Sequence, residues 1–343
     1  MKSALLKTLL LIPILCFCTP TDEAPEAVTD VIMVLDMAGL GDKGFNDAGW
    51  KGVQRAIDEL GISATYLQSS EQSDYISNLT LASQRAEIVV AMGFLMVDAL
   101  GKVAPLHPDT KFIFVDGEVK GENVASFDFK AQEGAFLAGI LAAMTTKALK
   151  VGCVMGMDIP PVRAYEVGFR AGILAVKASV GKSVKYHVAT IGDFNNPARG
   201  KSLAQGLIGQ GCDIVLQLAG NSGLGVIEAV KEMEGVYVIG ADMDQDDLAP
   251  GKVLASILKR IDVAVYGAIR DAKSNRFKQG HQWIGIKEGA TDLTDSPHLK
   301  DLRTVSIEKM LTSARNWIRA GGNVPASAKA LNRFSVEQIV SAW

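Results

Sequence analysis

The stretch DMAGLGDKGFNDAGWKG, residues 36–52, decides the fold prediction for this chain. It follows an apolar run at 31–35 that is typical of a buried strand, and it leads into a helical pattern at 47–60. A strand that ends in a glycine-rich turn and a helix N-terminus is how open α/β sheets build ligand sites. The stretch contains neither a Walker A loop nor GxGxxG, so a nucleotide-phosphate site loses its main support.

Outward from this stretch, strand and helix patterns alternate with short connections. The predicted strands lie at 31–35, 64–67, 88–92, 111–115, 125–127, 151–155, 184–190, 214–218, 236–239, 253–258 and 282–286. The predicted helices lie at 47–60, 73–84, 94–104, 132–144, 160–179, 197–210, 224–232, 259–271, 306–320 and 336–341.

The pattern starts again near residue 150, which predicts an α/β protein of two Rossmann-like, doubly wound lobes with a hinge. The first lobe is expected to comprise residues 30–147 plus about 259–281. The second is expected to comprise residues 148–258 plus about 282–343. The late segments return to both lobes, so the chain should cross between them more than once.

Composition excludes several classes of ligand and partner. The chain has 343 residues, of which 48% are hydrophobic, and its formal net charge is −3. Charges of both signs are mixed, without a basic stripe, which argues against a nucleic-acid partner. The four histidines stand far apart and no zinc-ligand spacing occurs, so the sequence predicts neither a metal nor any other cofactor.

The N-terminus is typical of an exported protein. Lysines precede an apolar run at 8–18 that is too short to span a membrane and fits the core of a secretory signal. Residues 1–18 are predicted to be a lipoprotein signal and 19–29 an acidic, Pro-containing tether. Cys18, or else Cys16, is the expected lipidation site, whereas Phe17 departs from the small residue usual before such a cysteine. The alternative is a plain signal peptide with an incidental cysteine.

The other two cysteines, Cys153 and Cys212, lie in apolar strand-like runs. This placement predicts buried free thiols, with a disulfide between them as the alternative in an exported protein.

Polar and aromatic residues follow the apolar strands at their carboxyl ends, where a cleft between two lobes would gather them. Taken singly, each acid could merely cap the next helix; taken together they predict a ligand site. The candidates are Asp36, Phe45, Asn46, Gly93, Phe94, Asp116, Phe194, Gly220, Asn221, Asp242 and Lys259.

These residue types suit a flat, uncharged ligand that carries hydroxyl groups. Phe45, with Phe94 or Phe194 opposite, could hold an aromatic ring. Asn46 offers a donor and an acceptor to a purine edge, and Asp242 could accept from two vicinal hydroxyls. No cluster of basic residues marks a phosphate pocket, so a nucleoside fits better than a nucleotide, and a sugar fits nearly as well.

The sequence resembles the basic membrane lipoprotein family of ABC-transporter substrate-binding proteins, in particular its purine-nucleoside receptors. The motifs that carry this resemblance span the chain: GDKGFNDAGWKG at 41–52, GFLMVDAL at 93–100, FIFVDG at 112–117, QEGAFLAG at 132–139, VGFRAG at 167–172, QLAGNSGLGV at 217–226, VIGADMDQ at 238–245 and SILKRID at 256–262.

The resemblance implies a periplasmic-binding-protein fold of type I that closes over its ligand without catalysis. It implies base contacts for Asp36, Phe45, Asn46 and Phe194, and ribose-side contacts for Asp116, Gly220, Asp242 and Lys259. Phe94 and Asn221 depart from the residues that some of these receptors carry, which bears on the choice of base.

Together these observations predict a monomeric, extracytoplasmic receptor that is lipid-anchored (palmitate) in the cell membrane. It would capture inosine, guanosine or adenosine for an ABC permease. Four alternatives compete: a nucleoside hydrolase or deaminase, a sugar receptor of the same fold, a transcriptional regulator, and a surface antigen or adhesin. The missing HxE…PCxxC zinc pattern argues against a deaminase, and the signal-like N-terminus argues against a regulator.

Overall fold

The computed structural model describes residues 29–335 of the chain. The predicted signal segment, most of the tether, Cys16, Cys18 and the helix expected at 336–341 lie outside the described residues. No helix within residues 29–335 is long and apolar enough to cross a membrane.

The first sheet consists of six parallel strands, in the order β11-β5-β4-β3-β1-β2. These strands are β1 (Thr29–Leu35), β2 (Ala64–Gln68), β3 (Ala86–Met92), β4 (Lys111–Val115), β5 (Val124–Phe129) and β11 (Gly280–Ile284). The central strands β1, β3 and β4 are apolar along most of their length because helices cover both faces of the sheet.

The second sheet repeats this arrangement, in the order β12-β10-β9-β8-β6-β7. Its strands are β6 (Lys150–Met155), β7 (Lys185–Thr190), β8 (Ile214–Leu218), β9 (Tyr237–Asp242), β10 (Val253–Lys259) and β12 (Thr291–Leu293). Only β12 runs antiparallel to its neighbour. The three-residue β12 is too short to give a sequence signal and was not predicted.

The α-helices of the described residues are α1 (Phe45–Leu60), α2 (Asp74–Arg85), α3 (Val97–Val103), α4 (Ala131–Thr145), α5 (Pro160–Val180), α6 (Pro197–Gly209), α7 (Ser222–Lys231), α8 (Ile261–Lys273), α9 (Val305–Arg319) and α10 (Ala328–Leu331). The helix predicted at 94–104 is divided in the structure, because single 3-10 turns flank α3 at Phe94–Met96 and Ala104–Leu106. The short helix α10 was not predicted.

The chain passes between the lobes three times, after β5, after β10 and after β11. The crossing segments are hydrogen-bonded to each other: Lys130 N donates to the carbonyl of Ile284 at 2.8 Å, and Arg260 N to that of Ala290 at 2.8 Å. The segments that connect the lobes therefore lie side by side as one hinge.

Two of the predicted lobe boundaries are wrong. Helix α4 was placed in the first lobe, but its side chains pack into the core of the second lobe. Strand β11 was divided at residue 281/282, but all of it pairs with β5 in the first sheet. The physical reason is the same in both cases: the chain crosses at 130 and again after 284, and local strand and helix patterns carry no sign of the sheet that an element joins.

Helices α4 and α5 cross at very short distance on facing glycines. A Cβ built on Gly172 would lie 2.2 Å from the carbonyl oxygen of Phe136, and one on Gly139 would lie 2.1 Å from that of Phe169. Only glycine allows this approach, because no Cβ atom fits between the two backbones. The contact fixes α5 against the helix that follows the first crossing.

The buried cysteines agree with the sequence-based prediction of free thiols. Cys153 on β6 and Cys212 before β8 are both buried and free. Burial raises the pKa of the Cys212 thiol to about 11 and that of Cys153 further still, so both thiols are protonated and poorly reactive at neutral pH.

We expect Gly172→Ala to lower the free energy of unfolding by about 1–3 kcal/mol, the usual cost of overpacking a filled interior. Urea unfolding would measure the change. Gly206→Ala is the matched control, because Gly206 lies in α6 with no atom within 4 Å of an added Cβ. That substitution should stabilise the protein by about 0.5–1 kcal/mol through helix propensity. Equal stability of Gly172→Ala and the wild type would contradict the close contact.

Candidate functional site

The carboxyl ends of both sheets face a single cavity between the lobes. Including the part open to solvent, this space measures about 630 Å³. The predicted residues that line it are Asp36, Phe45, Asn46, Gly93, Phe94, Asp116, Phe194, Gly220, Asp242 and Lys259.

Asn221 does not line the cavity. Its side-chain amide instead donates to Oδ1 of Asn195 at 2.6 Å, next to the start of α7. Strand-end position alone does not determine which way a side chain turns, and here the neighbouring asparagine offers the amide a partner outside the cavity.

The turn after β1 builds the first polar end of the cavity. Oδ1 of Asp36 accepts from the side-chain amide of Asn46 at 2.8 Å and from Ala38 N at 2.9 Å. The same Asn46 amide also donates to Oδ2 of Asp42 at 3.2 Å. Because both amide hydrogens point to carboxylates, Oδ1 of Asn46 must be the atom left over, and it is buried without a partner.

Asp42 holds this turn together from inside. Its carboxylate accepts from the backbone N–H groups of Gly44, Asn46 and Asp47 at 2.9–3.2 Å. Burial raises the pKa of Asp42 to about 7, although these three hydrogen bonds act in the opposite direction. Burial also raises the pKa of Asp36, against its hydrogen bond from Asn46. Asp42 was not predicted as a site residue, although it accepts from the side-chain amide of Asn46 and so helps to orient it.

The other polar end contains two aspartates in the same unusual conformation. Asp116 follows β4 and Asp242 ends β9, and both have φ of 69°. Such left-handed backbone is rare outside glycine, asparagine and aspartate. Because β4 and β9 occupy equivalent places in the two sheets, the two carboxylates approach the cavity from opposite lobes.

Lys259 is the cation between these acids, and it is only 2% exposed. Its ammonium forms a short ion pair with Oδ2 of Asp116 across the lobes. It also lies 5.0 Å from the ring centroid of Phe45 and 5.3 Å from that of Phe129, within the range of cation–π attraction. Burial raises the pKa of Asp242, and the charge of Lys259 opposes that rise.

Tyr165 is a cavity residue that the sequence analysis missed. Its hydroxyl donates to Oδ1 of Asp242 at 2.6 Å, and its burial raises the tyrosine pKa well above the usual value. It lies on α5, in the turn-and-helix unit after β6 that corresponds to the one after β1. That correspondence, together with the Pro-Pro start of α5, is the signal that could have revealed it.

The middle of the cavity is apolar. Phe194 packs directly on the backbone of Gly156, where an added Cβ would lie 2.3 Å from the ring. Phe45 and Phe94 line the wall contributed by the first lobe. Further apolar lining, which the sequence did not predict, comes from Leu95, Ile159, Pro161, Val162, Leu218 and Ala241, with Ala38 beside the first turn.

Among residues 29–335 there is no group of three or more His, Cys, Asp or Glu side chains that could hold a metal ion. The carboxylates of the cavity are instead bound by Asn46, Tyr165, Lys259 and backbone amides. The arrangement can accept and donate hydrogen bonds at two ends of an apolar slot.

Comparison with known proteins identifies the family of the chain. The family model described as "ABC transporter substrate-binding protein PnrA-like" matches residues 29–321. The ABC transporter nucleoside-binding protein BmpA of Lactococcus lactis is 33% identical over 284 residues, covering 76% of this chain and 80% of the relative. An uncharacterized lipoprotein of Pyrococcus furiosus is 34% identical over 272 residues, covering 76% and 68%.

Among solved structures, an ABC transporter solute-binding protein from Aeropyrum pernix K1 superimposes with a TM-score of 0.82 at 28% identity. The match covers 91% of this chain and 98% of that one. The predicted fold class, two α/β lobes of the type I periplasmic-binding-protein kind, is thereby confirmed. The family model spans most of the chain, and the chain therefore belongs to the Bmp family of PnrA-like ABC transporter substrate-binding proteins.

Proposed function

We propose that this substrate-binding protein captures purine nucleosides in the cavity between its lobes and presents them to an ABC permease. The observation that carries the proposal is an apolar slot lined by Phe45, Phe94 and Phe194 that ends in two different polar groups. A purine nucleoside has this same order of parts, with a polar base edge, a flat ring and a sugar.

The base would lie against the phenylalanines with its edge at Asp36 and Asn46. Asn46 presents an oxygen there, because both of its amide hydrogens already bind carboxylates. Asp36, when ionised, presents only acceptors as well. A pair of acceptors is matched by a base with two adjacent donors, and the N1–H and 2-amino groups of guanine provide them. We therefore expect guanosine to bind more tightly than inosine, which keeps one of these donors, and adenosine, whose N1 is an acceptor.

The sugar would lie at the opposite end, beside Asp242, Lys259 and Asp116. A carboxylate that accepts from vicinal hydroxyls is a familiar ribose contact. Tyr165 already occupies Oδ1 of Asp242 at 2.6 Å, which leaves Oδ2 for the ligand. The ammonium of Lys259 can donate to a sugar oxygen while it stays paired with Asp116.

A free sugar is the second candidate, and one observation favours the nucleoside over it. Besides the three phenylalanines, the cavity is lined by the apolar side chains of Ile159 and Val162, and such a lining suits a base better than a hydroxyl-rich sugar ring. The relative from Lactococcus lactis is also named a nucleoside-binding protein. Capture itself needs no catalysis, because a ligand that contacts both lobes shifts the equilibrium towards their closed arrangement.

The protein would act outside the cytoplasm as a monomer, held to the membrane by a lipid on Cys18. The apolar run at 8–18 and the lipoprotein name of the Pyrococcus relative support this proposal. We expect Cys18→Ser to abolish the incorporation of labelled palmitate in a bacterial host and to release the protein from the membrane fraction. Cys16→Ser serves as the matched control, and label retained in Cys18→Ser but lost in Cys16→Ser would move the anchor to Cys16.

A binding assay with four compounds tests the ligand. We expect calorimetry to give tight binding of guanosine, weaker binding of inosine and adenosine, and no measurable binding of ribose. The loss of one charge-assisted hydrogen bond should reduce affinity by roughly tenfold or more. Tightest binding of adenosine would contradict the acceptor pair, and binding of ribose alone would favour the sugar receptor.

The pH dependence of guanosine binding tests the acceptor role of Asp36 together with that of Asp242, because burial raises the pKa of both carboxyl groups. The ionised carboxylate is the form that accepts, so affinity should be full above its pKa and fall as the pH drops through it. Because burial raises the pKa of Asp36, this loss should begin at a higher pH than for an ordinary carboxyl group.

We expect Asp242→Ala to weaken nucleoside affinity by roughly tenfold or more, because the ribose hydroxyls lose a charged acceptor. Calorimetry measures the affinity, and circular dichroism confirms the fold. Asp247→Ala is the matched control, since Asp247 is exposed and lies outside the cavity. Unchanged affinity in Asp242→Ala would remove this residue from the binding site.

A further inference from the structure

A direct hydrogen bond joins the two lobes through two residues that do not line the cavity. Nε2 of Gln245, in the second lobe after β9, donates to the backbone carbonyl of Lys43 in the first lobe at 2.9 Å. Gln245 is 2% exposed and does not line the cavity. Because its two partners belong to different lobes, separation of the lobes would break this bond.

The side chain of Gln245 is held for this contact from within its own lobe. Its Oε1 accepts from Nε2 of Gln217 at 2.8 Å and from Ala241 N at 3.3 Å. Its backbone N–H donates to Oγ of Ser256 at 3.0 Å. Two donors therefore fix the oxygen side of the amide, and the remaining donor must point towards Lys43.

Gln217 is fixed in turn. It is 2% exposed, and its Oε1 accepts from Ala219 N at 3.2 Å. The side-chain oxygen of each glutamine lies close to a glycine. A Cβ on Gly223 would lie 2.0 Å from Oε1 of Gln217, and one on Gly240 would lie 2.6 Å from Oε1 of Gln245. Only one orientation of each amide satisfies these partners. Contacts within the second lobe therefore orient both amides before the lobes close.

The acceptor on the other lobe is held just as firmly. Lys43 has φ of 50°, and its backbone N–H donates to Oδ2 of Asp47 at 3.1 Å. The next residues of this turn include Phe45 and Asn46, which line the cavity. Docking of the Lys43 carbonyl onto Gln245 therefore fixes the turn that carries the cavity's aromatic and amide groups.

We propose that Gln245, oriented by Gln217, is a positioning residue for capture: it stabilises the closed arrangement of the lobes without touching the ligand. The role concerns closure, so it holds whatever the cavity binds. When the lobes open, water can replace the Lys43 carbonyl as the partner of Gln245. The contact therefore adjusts the balance of open and closed forms rather than locking the protein shut, by about three- to tenfold for a single neutral hydrogen bond.

The test measures closure in the absence of any nucleoside, by the rate at which added oxidised glutathione converts a pair of thiols into a disulfide across the cavity. An added Cβ on Gly220 would lie 3.5 Å from Cβ of Ala38 on the opposite lobe, which is within the range for a disulfide. The reporter is therefore the full chain with Ala38→Cys and Gly220→Cys, and with Cys16→Ser and Cys18→Ser to remove competing thiols. Cys153 and Cys212 are buried and stay unreactive.

We expect Gln245→Glu to slow trapping about three- to tenfold, because a carboxylate of the same shape turns an oxygen towards the Lys43 carbonyl. Gln217→Glu should also slow trapping, because the new carboxylate favours the reversed orientation of the Gln245 amide. Gln217 itself contacts neither the other lobe nor the cavity. Gln210→Glu makes the same chemical change on an exposed residue and should leave the rate unchanged.

A trapping rate in Gln245→Glu equal to that of the reporter chain would overturn the proposal. An unchanged rate in Gln217→Glu alone would overturn the orienting role of Gln217. Thermal unfolding of each variant identifies a loss of fold. If Gln245→Glu does not fold, Gln245→Met takes its place: it removes the donor without adding a charge, should slow trapping by the same factor, and overturns the proposal if its rate equals that of the reporter chain. Since no nucleoside is present, failure here is distinct from failure of guanosine to bind in calorimetry.

Discussion

A lysine ammonium with almost no access to water lies between the two lobes, and much of the cavity is arranged around it. Removing such a charge from water costs several kcal/mol unless it is paired and hydrogen-bonded. Lys259 meets this requirement through Asp116, which belongs to the other sheet. The pair therefore needs both lobes. The charge of Lys259 also acts on Asp242, where it opposes the rise in pKa that burial causes. The hydroxyl of Tyr165 then completes the surroundings of that second carboxylate.

Most of the fold and much of the cavity could be predicted from sequence, for a physical reason. Buried parallel strands are apolar along their whole length, so their ends are visible as the first polar residue, as at Asp36, Asp116 and Asp242. In parallel sheets these ends lie at one edge, which places the residues together without knowledge of the topology. Ligand binding by these side chains stays a prediction, because lining a cavity describes where a side chain lies and not what it binds.

The rest could not be predicted because it depends on contacts between distant segments. The sequence pattern of helix α4 does not differ from that of other helices that follow a strand. Only the crossing at residue 130 assigns it to the second lobe. Tyr165 lies inside a helix, where a tyrosine usually indicates core packing. Asn221 turns away because Asn195 happens to be near. Gln217 and Gln245 are separated by 28 residues, and their hydrogen bond becomes visible only in the folded structure.

The pairing of β5 with β11 has a consequence for the order in which the protein can be made. Residues 280–284 complete the edge of a sheet whose other strands are all finished by residue 129. During synthesis β5 therefore stays an open edge while the second sheet is built, and an open edge is a template for pairing with other chains. The first lobe begins first and finishes late, so strand β5 has no partner on its outer edge until residues 280–284 have been made.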